Sequence, residues 1–226
     1  SHRSTMHDRQ LLSLLYLASP TLPIGAFAYS QGLASAIELG WVADEAGLNR
    51  WMRGVLVHGL GGLDLPVLLR LHRAAEVGDD KNFAHWNDFL LASRETYELL
   101  QEELRLGETL RRLMDGHGLL GGVELPADAG YTALFAASAA ALGVEARPAA
   151  LGFAWTWAEN QAAAACKAIP LGQTAAQRIL MGLTGDMEPV LDRAESLDDH
   201  EIGATAPGLV LASSLHETQY SRLFRS

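Results

Sequence analysis

The chain has 226 residues, a formal net charge of −10, 49 % hydrophobic and 19 % charged residues. That is a globular composition, long enough to bury a real core, and its acidic balance argues against nucleic-acid binding, which needs clustered Lys and Arg. One cysteine, Cys166, excludes an internal disulfide framework and a zinc site of the paired-cysteine type, and fits a reducing compartment.

The prefix "SHRST" before Met6 reads as an expression scar over residues 1–5 and is set aside. Arg9 followed by "LLSLLYLA" imitates a signal peptide, but the apolar run is short and Pro-rich sequence follows it. No apolar run reaches the length needed to cross a bilayer. Leu11, Leu12, Leu14, Leu15 and Leu17 make a first helix, ended by Pro20. The uncharged segment "SPTLPIGAFAYSQG" (19–32) interrupts with fixed φ at Pro20 and Pro23, and it presents Phe27 and Tyr29. Helix resumes from Ser30 to Leu39, with Leu33, Ala34 and Ile37 on one stripe and Gly40 as the stop.

Asp44 is placed to cap a helix whose apolar positions are Leu48, Trp51, Met52, Val55 and Leu56. "HGLGG" is expected to interrupt it, and Asp64 with Pro66 to restart a helix through Leu71. The segment 94–113 reads as helix with Tyr97, Leu100, Leu104 and Leu113 inward and a Glu108–Arg112 pair outward. Residues 115–130 form a loop. Alanine-dense stretches 132–142 and 154–168 read as buried helix, broken by Pro170. Thr174 is expected to cap a helix holding Ile179, Leu183, Met187, Val190 and Leu191, its second half weakened by Gly185 and Pro189. "ESLDDHE" reads as a solvated or disordered loop, 207–216 as a last helix, and 217–226 as a flexible tail. No strand alternation and no repeat is visible. The expectation is a single all-α domain over 1–226, a bundle of about nine or ten helices.

Chemistry is sparse. Gly116, Gly118 and Gly121 spell G-x-G-x-x-G, but after a charged helix, without the strand context of a dinucleotide site. No two of the eight histidines are spaced for a helical metal site. His58 reads as a core or interface histidine. His200, beside Asp198, Asp199 and Glu201, could hold a divalent ion weakly and reads better as a solvated charge run. Lys167 in "ACKAIPLGQT" could be a desolvated base or Schiff-base nucleophile, or could simply snorkel to solvent or bond its helix's last carbonyls. The aromatic 19–32 segment and the tail "HETQYSRLFRS", with Tyr220, Arg222, Phe224 and Arg225, read as interface surfaces.

Three strings together carry a resemblance: "LASPTLPIGAFAYSQGLASAIELGWV", "KAIPLGQTAAQRIL" and "SSLHETQYSRLFRS". In this order, across nearly the whole chain, they resemble the UreF family of urease accessory proteins; Ala34 and Ser35 depart from the family pattern. The resemblance implies an all-α cytoplasmic homodimer with no enzymatic activity, no cofactor and no metal site of its own. It implies binding to UreD (UreH in some organisms), to the GTPase UreG and to the urease apoprotein, with no nucleic-acid or membrane partner, as chaperone and GTPase regulator in nickel insertion. It places Pro23, Phe27, Tyr29, Ser30, Gln31, Lys167, Gln173, Tyr220 and Arg222 on the partner-binding surface. The tail carrying Tyr220 and Arg222 would become ordered on UreD binding, beside Pro23–Phe27. Arg222 and Arg225 could enter the GTPase site, or the tail could only position UreG. The alternatives from the residues alone are a stand-alone metal carrier and an enzyme using Lys167.

Overall fold

Asp44 caps its helix as its position implies: its carboxylate accepts the Gly47 N–H at 2.7 Å. In the structure, a computed structural model, residues 6–20, 22, 30–94 and 96–204 are described, with Ser30 and Gln31 as backbone only. Their elements are α1 (Asp8–Leu17), α2 (Ser30–Glu38), α3 (Glu45–Gly54), a π-helix (Val55–Asp64), α4 (Leu65–Val77), α5 (Asp80–Ala92), α6 (Tyr97–Gly116), α7 (Tyr131–Ala141), α8 (Ala146–Ala168), α9 (Gln173–Ser196) and a 3₁₀ turn (Asp199–Glu201). The class is all-α, with no strand among the described residues.

The count of separate helices is lower than the sequence implies, because "HGLGG" does not interrupt. Helix α3, the π-helix and α4 run on as one 33-residue rod, Glu45–Val77. Buried backbone has no water to bond, so the chain widens into π-turns there and keeps its hydrogen bonds. Glycine also admits a neighbour: a Cβ on Gly61 would lie 2.7 Å from Val190 Cγ1 of α9. The rod is long and apolar enough to span a bilayer by length and composition, which the split reading hid, yet 72 % of its most apolar stretch is buried inside the fold.

Helix α4 packs on α5, α7, α8 and α9, and α7 also meets α6, α8 and α1. Residues 132–139 of α7 are buried without a break, which makes it a core helix rather than an amphipathic one. Alanine lets its neighbours come close. On α6 the buried face is Glu103, Leu106, Gly107, Leu110 and Met114, while Tyr97 is exposed. The expected stripe of Tyr97, Leu100, Leu104 and Leu113 is therefore rotated, since the contact with α7 centres on a small residue. Glu108 and Arg112 do form their surface pair. In α2, Leu33 and Ala36 are buried and Ala34 is exposed.

Helix α5 is missing from the sequence reading, although Phe83, Trp86, Asn87 and Leu90 line its buried face. Helix α9 starts after Gly172, with no cap from Thr174. It also runs through Pro189 to Ser196. The proline ring meets the carbonyl of the residue four back, and here that residue is Gly185, exposed with open space around it. The "ESLDDHE" run is placed rather than loose. Asp198 and Glu201 form a reciprocal cap, and Arg70 of α4 bonds Asp199 at 2.6 Å and the Leu197 carbonyl at 2.8 Å. The expected helix 207–216 and tail 217–226 lie outside the described residues.

Candidate partner-binding surface

Helix α8 ends at Ala168, ahead of Ile169 and Pro170, and α9 begins at Gln173. This corner carries two of the residues singled out from sequence. Lys167 sits exposed in the last turn of α8, and Gln173 is exposed at the start of α9. An exposed lysine keeps its hydration, so the desolvated nucleophile expected as one option is not what the fold provides. Ser30 and Gln31 open α2, which packs against α8. Pro23, Phe27, Tyr29, Tyr220 and Arg222 lie outside the described residues.

Beyond that corner, α9 and α3 lie side by side in the same direction and form a groove of roughly 430 Å³. Glu45, Asn49 and Arg53 come from α3, and Arg178, Ile179 and Gly182 from α9. Two ion pairs rung it. The Arg178 guanidinium donates from Nε and Nη2 to both Glu45 oxygens at 2.8 Å, and Arg53 Nε meets Asp186 Oδ2 at 3.0 Å. The Arg178 hydrogen bond holds the Glu45 carboxyl below the usual range. Such a depressed carboxyl adds stability above its usual titration range, lost as the pH falls, and solvent screening at this partly exposed pair keeps the effect small. Met181, on α9, is 66 % exposed. The sequence reading missed this groove. Its signal was there in the four-residue spacing of 45, 49, 53 and of 178, 182, 186, but nothing local pairs those two rows.

A second surface is apolar. Leu11, Leu12, Leu15 and Tyr16 of α1 are exposed, with Leu12 at 65 %. Leu14 and Leu17 face the core. Helix α1 thus turns leucines both inward and outward.

The remaining candidates fare differently. The carboxylates of Asp198 and Glu201 and the His200 ring have ligand atoms within 4.8 Å of one another, all exposed. Both carboxylates are also engaged in the reciprocal cap. His58 is exposed rather than a core residue. Gly116, Gly118 and Gly121 lie at the end of α6 and in the loop after it, with no strand before them.

The described residues form an all-α fold whose unusual features are grooves, helix corners and an exposed apolar row. The UreF family model matches residues 42–184. The urease accessory protein UreF of Chromohalobacter salexigens is 54 % identical over 224 residues, 98 % of this chain and 97 % of that protein. Those of Psychrobacter cryohalolentis and Marinobacter nauticus are 53 % and 54 % identical, over 99 % and 97 % of this chain and 97 % and 95 % of their own lengths. The chain belongs to the UreF family of urease accessory proteins.

Proposed function

We propose that the chain is a cytoplasmic scaffold in urease maturation: it dimerises, binds UreD/UreH, and recruits the GTPase UreG to the urease apoprotein for nickel insertion, with no catalytic step of its own. The observation that carries this reading is identity of about half the residues, at nearly full length, to proteins named as urease accessory protein UreF. The α8–α9 corner with Lys167 and Gln173, the start of α2 and the ion-paired groove supply a rigid contact face. Pro23, Phe27, Tyr29, Tyr220 and Arg222 complete the UreG-facing surface in this proposal, Arg222 and Arg225 acting either as inserted charges or as positioning contacts. Nickel is cargo here.

The test is nickel-dependent activation of apo-urease with UreD, UreG and GTP. Adding the chain restores activation, and a version truncated after His216 leaves it near the level without the chain. Equal activation with and without the intact chain contradicts the proposal.

In this proposal the homodimer forms through α1, whose exposed Leu11, Leu12, Leu15 and Tyr16 a second copy would cover. Leu12→Glu with Leu15→Glu converts the dimer to a monomer by light scattering while helix content stays unchanged. A double variant that remains a dimer removes α1 from the interface.

A further inference from the structure

His72 lies on α4 with its side chain wholly buried. Its Nε2 is 2.7 Å from the Val144 carbonyl, in the turn between α7 and α8. A carbonyl only accepts, so Nε2 carries the hydrogen, and in the neutral ring Nδ1 is left with a lone pair. That Nδ1 is buried and has no hydrogen-bond partner. What it faces, one helical turn on, is a carboxylate: Glu76 Oε2 at 3.6 Å. With the ring neutral, a buried lone pair at Nδ1 therefore faces a half-exposed carboxylate, and a cation between the two satisfies both.

A separation of 3.6 Å decides which cation suits. It is too long for a proton on Nδ1 to be shared as an N–H···O bond. A metal about 2.1 Å from both atoms spans it with an angle of about 120°, close to tetrahedral. The Nε2–H···O=C bond to Val144 is also the contact that fixes tautomer and ring orientation in metal-ligating histidines. Access exists from one side. Glu76 is about half exposed and lines an open cavity of roughly 540 Å³ between the end of α4, the 118–122 loop and Ala140–Ala141. The glycine-rich loop sits directly on this last turn: a Cβ on Gly78 would lie 3.1 Å from the Gly122 carbonyl, and one on Gly122 3.3 Å from that of Ala75. Both Gly78 and Gly122 hold positive φ. Gly118 and Gly121 of the G-x-G-x-x-G string line this cavity beside Gly122.

We propose that His72 Nδ1 and Glu76 form an open, two-residue site for a borderline divalent cation of the zinc type, with waters from the cavity completing the coordination. One imidazole and one carboxylate suit such ions better than calcium or magnesium. Two protein ligands make the site weaker than a closed structural zinc site. A bound ion would clamp α4 to the turn between α7 and α8 through the ring.

The full chain is titrated with Zn²⁺ in a chelator-buffered solution, and the imidazole nitrogens are followed by ¹⁵N NMR alongside thermal unfolding. One equivalent of zinc moves the His72 Nδ1 resonance and raises Tm. Glu76→Gln, at a half-exposed position that keeps the fold, weakens the affinity at least about tenfold. His200→Ala, which removes the exposed cluster at residues 198–201, leaves the His72 response intact. The proposal fails if zinc leaves Nδ1 unmoved, if Glu76→Gln binds as tightly as the parent, or if Nδ1 carries a proton at neutral pH with or without zinc.

Discussion

Replacing Arg94 by methionine lowers the stability of the fold by about 3–5 kcal/mol, read from urea unfolding followed by circular dichroism. Arg94, just after α5, donates from Nη2 to Asp64 Oδ1 at 2.7 Å and to Glu103 Oε2 at 3.1 Å. Asp64 closes the π-helix and is wholly buried. Glu103 is also buried, and its other oxygen accepts the Thr132 N–H of α7 at 2.9 Å. One guanidinium therefore ties the long rod, the α5–α6 turn, α6 and α7 together. Methionine matches its length but leaves two buried carboxylates without the charge between them, and that loss outweighs anything gained in packing. Arg94→Lys keeps the charge but not the planar fork, so it recovers only part of the loss. A change below about 1 kcal/mol for the methionine variant would show the network to be dispensable.

Gly107→Ala destabilises by about 2–3 kcal/mol, against the sign that helix propensity alone gives. Alanine in a helix interior is favoured over glycine by about 1 kcal/mol. At this site, however, the new Cβ would lie 2.4 Å from the Ala129 carbonyl oxygen, 2.7 Å from Gly130 C and 2.9 Å from Tyr131 N. All three are backbone atoms at the entry to α7, so no side chain can rotate away, and α6 must retreat from the core helix. Gly185→Ala on the exposed side of α9 meets nothing within 4 Å and follows propensity instead, gaining up to about 1 kcal/mol. Thermal unfolding of the pair checks both signs at once.

The helices were legible where the signal is local. Gly40 stops α2 with φ of 71°, Asp44 caps α3, and the buried stripes of α3 and α9 fall where their spacing puts them. The Ala-rich cores of α7 and α8 were equally plain. Reading failed where tertiary packing outvotes local preference. "HGLGG" looks like a break, and becomes a π-helix packed against α9, where Gly59, Leu60 and Gly61 are buried. Pro189 looks like a kink, and is absorbed over Gly185. Helix α5 kept its stripe of Phe83, Trp86, Asn87 and Leu90 in view, but polar neighbours diluted it.

Of the candidate surfaces, only the α8–α9 corner and the start of α2 carry residues named from the sequence as partner-binding. Lys167 and Gln173, named through the motif that carries the resemblance, are exposed at the corner between α8 and α9. The α3–α9 groove, the Arg94 network and the facing of His72 with Val144 join residues far apart in the chain. Glu45 and Arg178, for example, are 133 positions apart. Spacing along the sequence carries no information about such pairs. His72 and Glu76 are four residues apart, a helical spacing visible in the sequence, but nothing local marks the His72 ring as buried against Val144.

Mixing the full chain with folded UreD and UreG and sizing the product by chromatography with light scattering tests the scaffold reading most directly. A single species containing all three proteins, lost when the chain is truncated after His216, is the predicted result. A chain that elutes alone while UreD and UreG remain folded would contradict it.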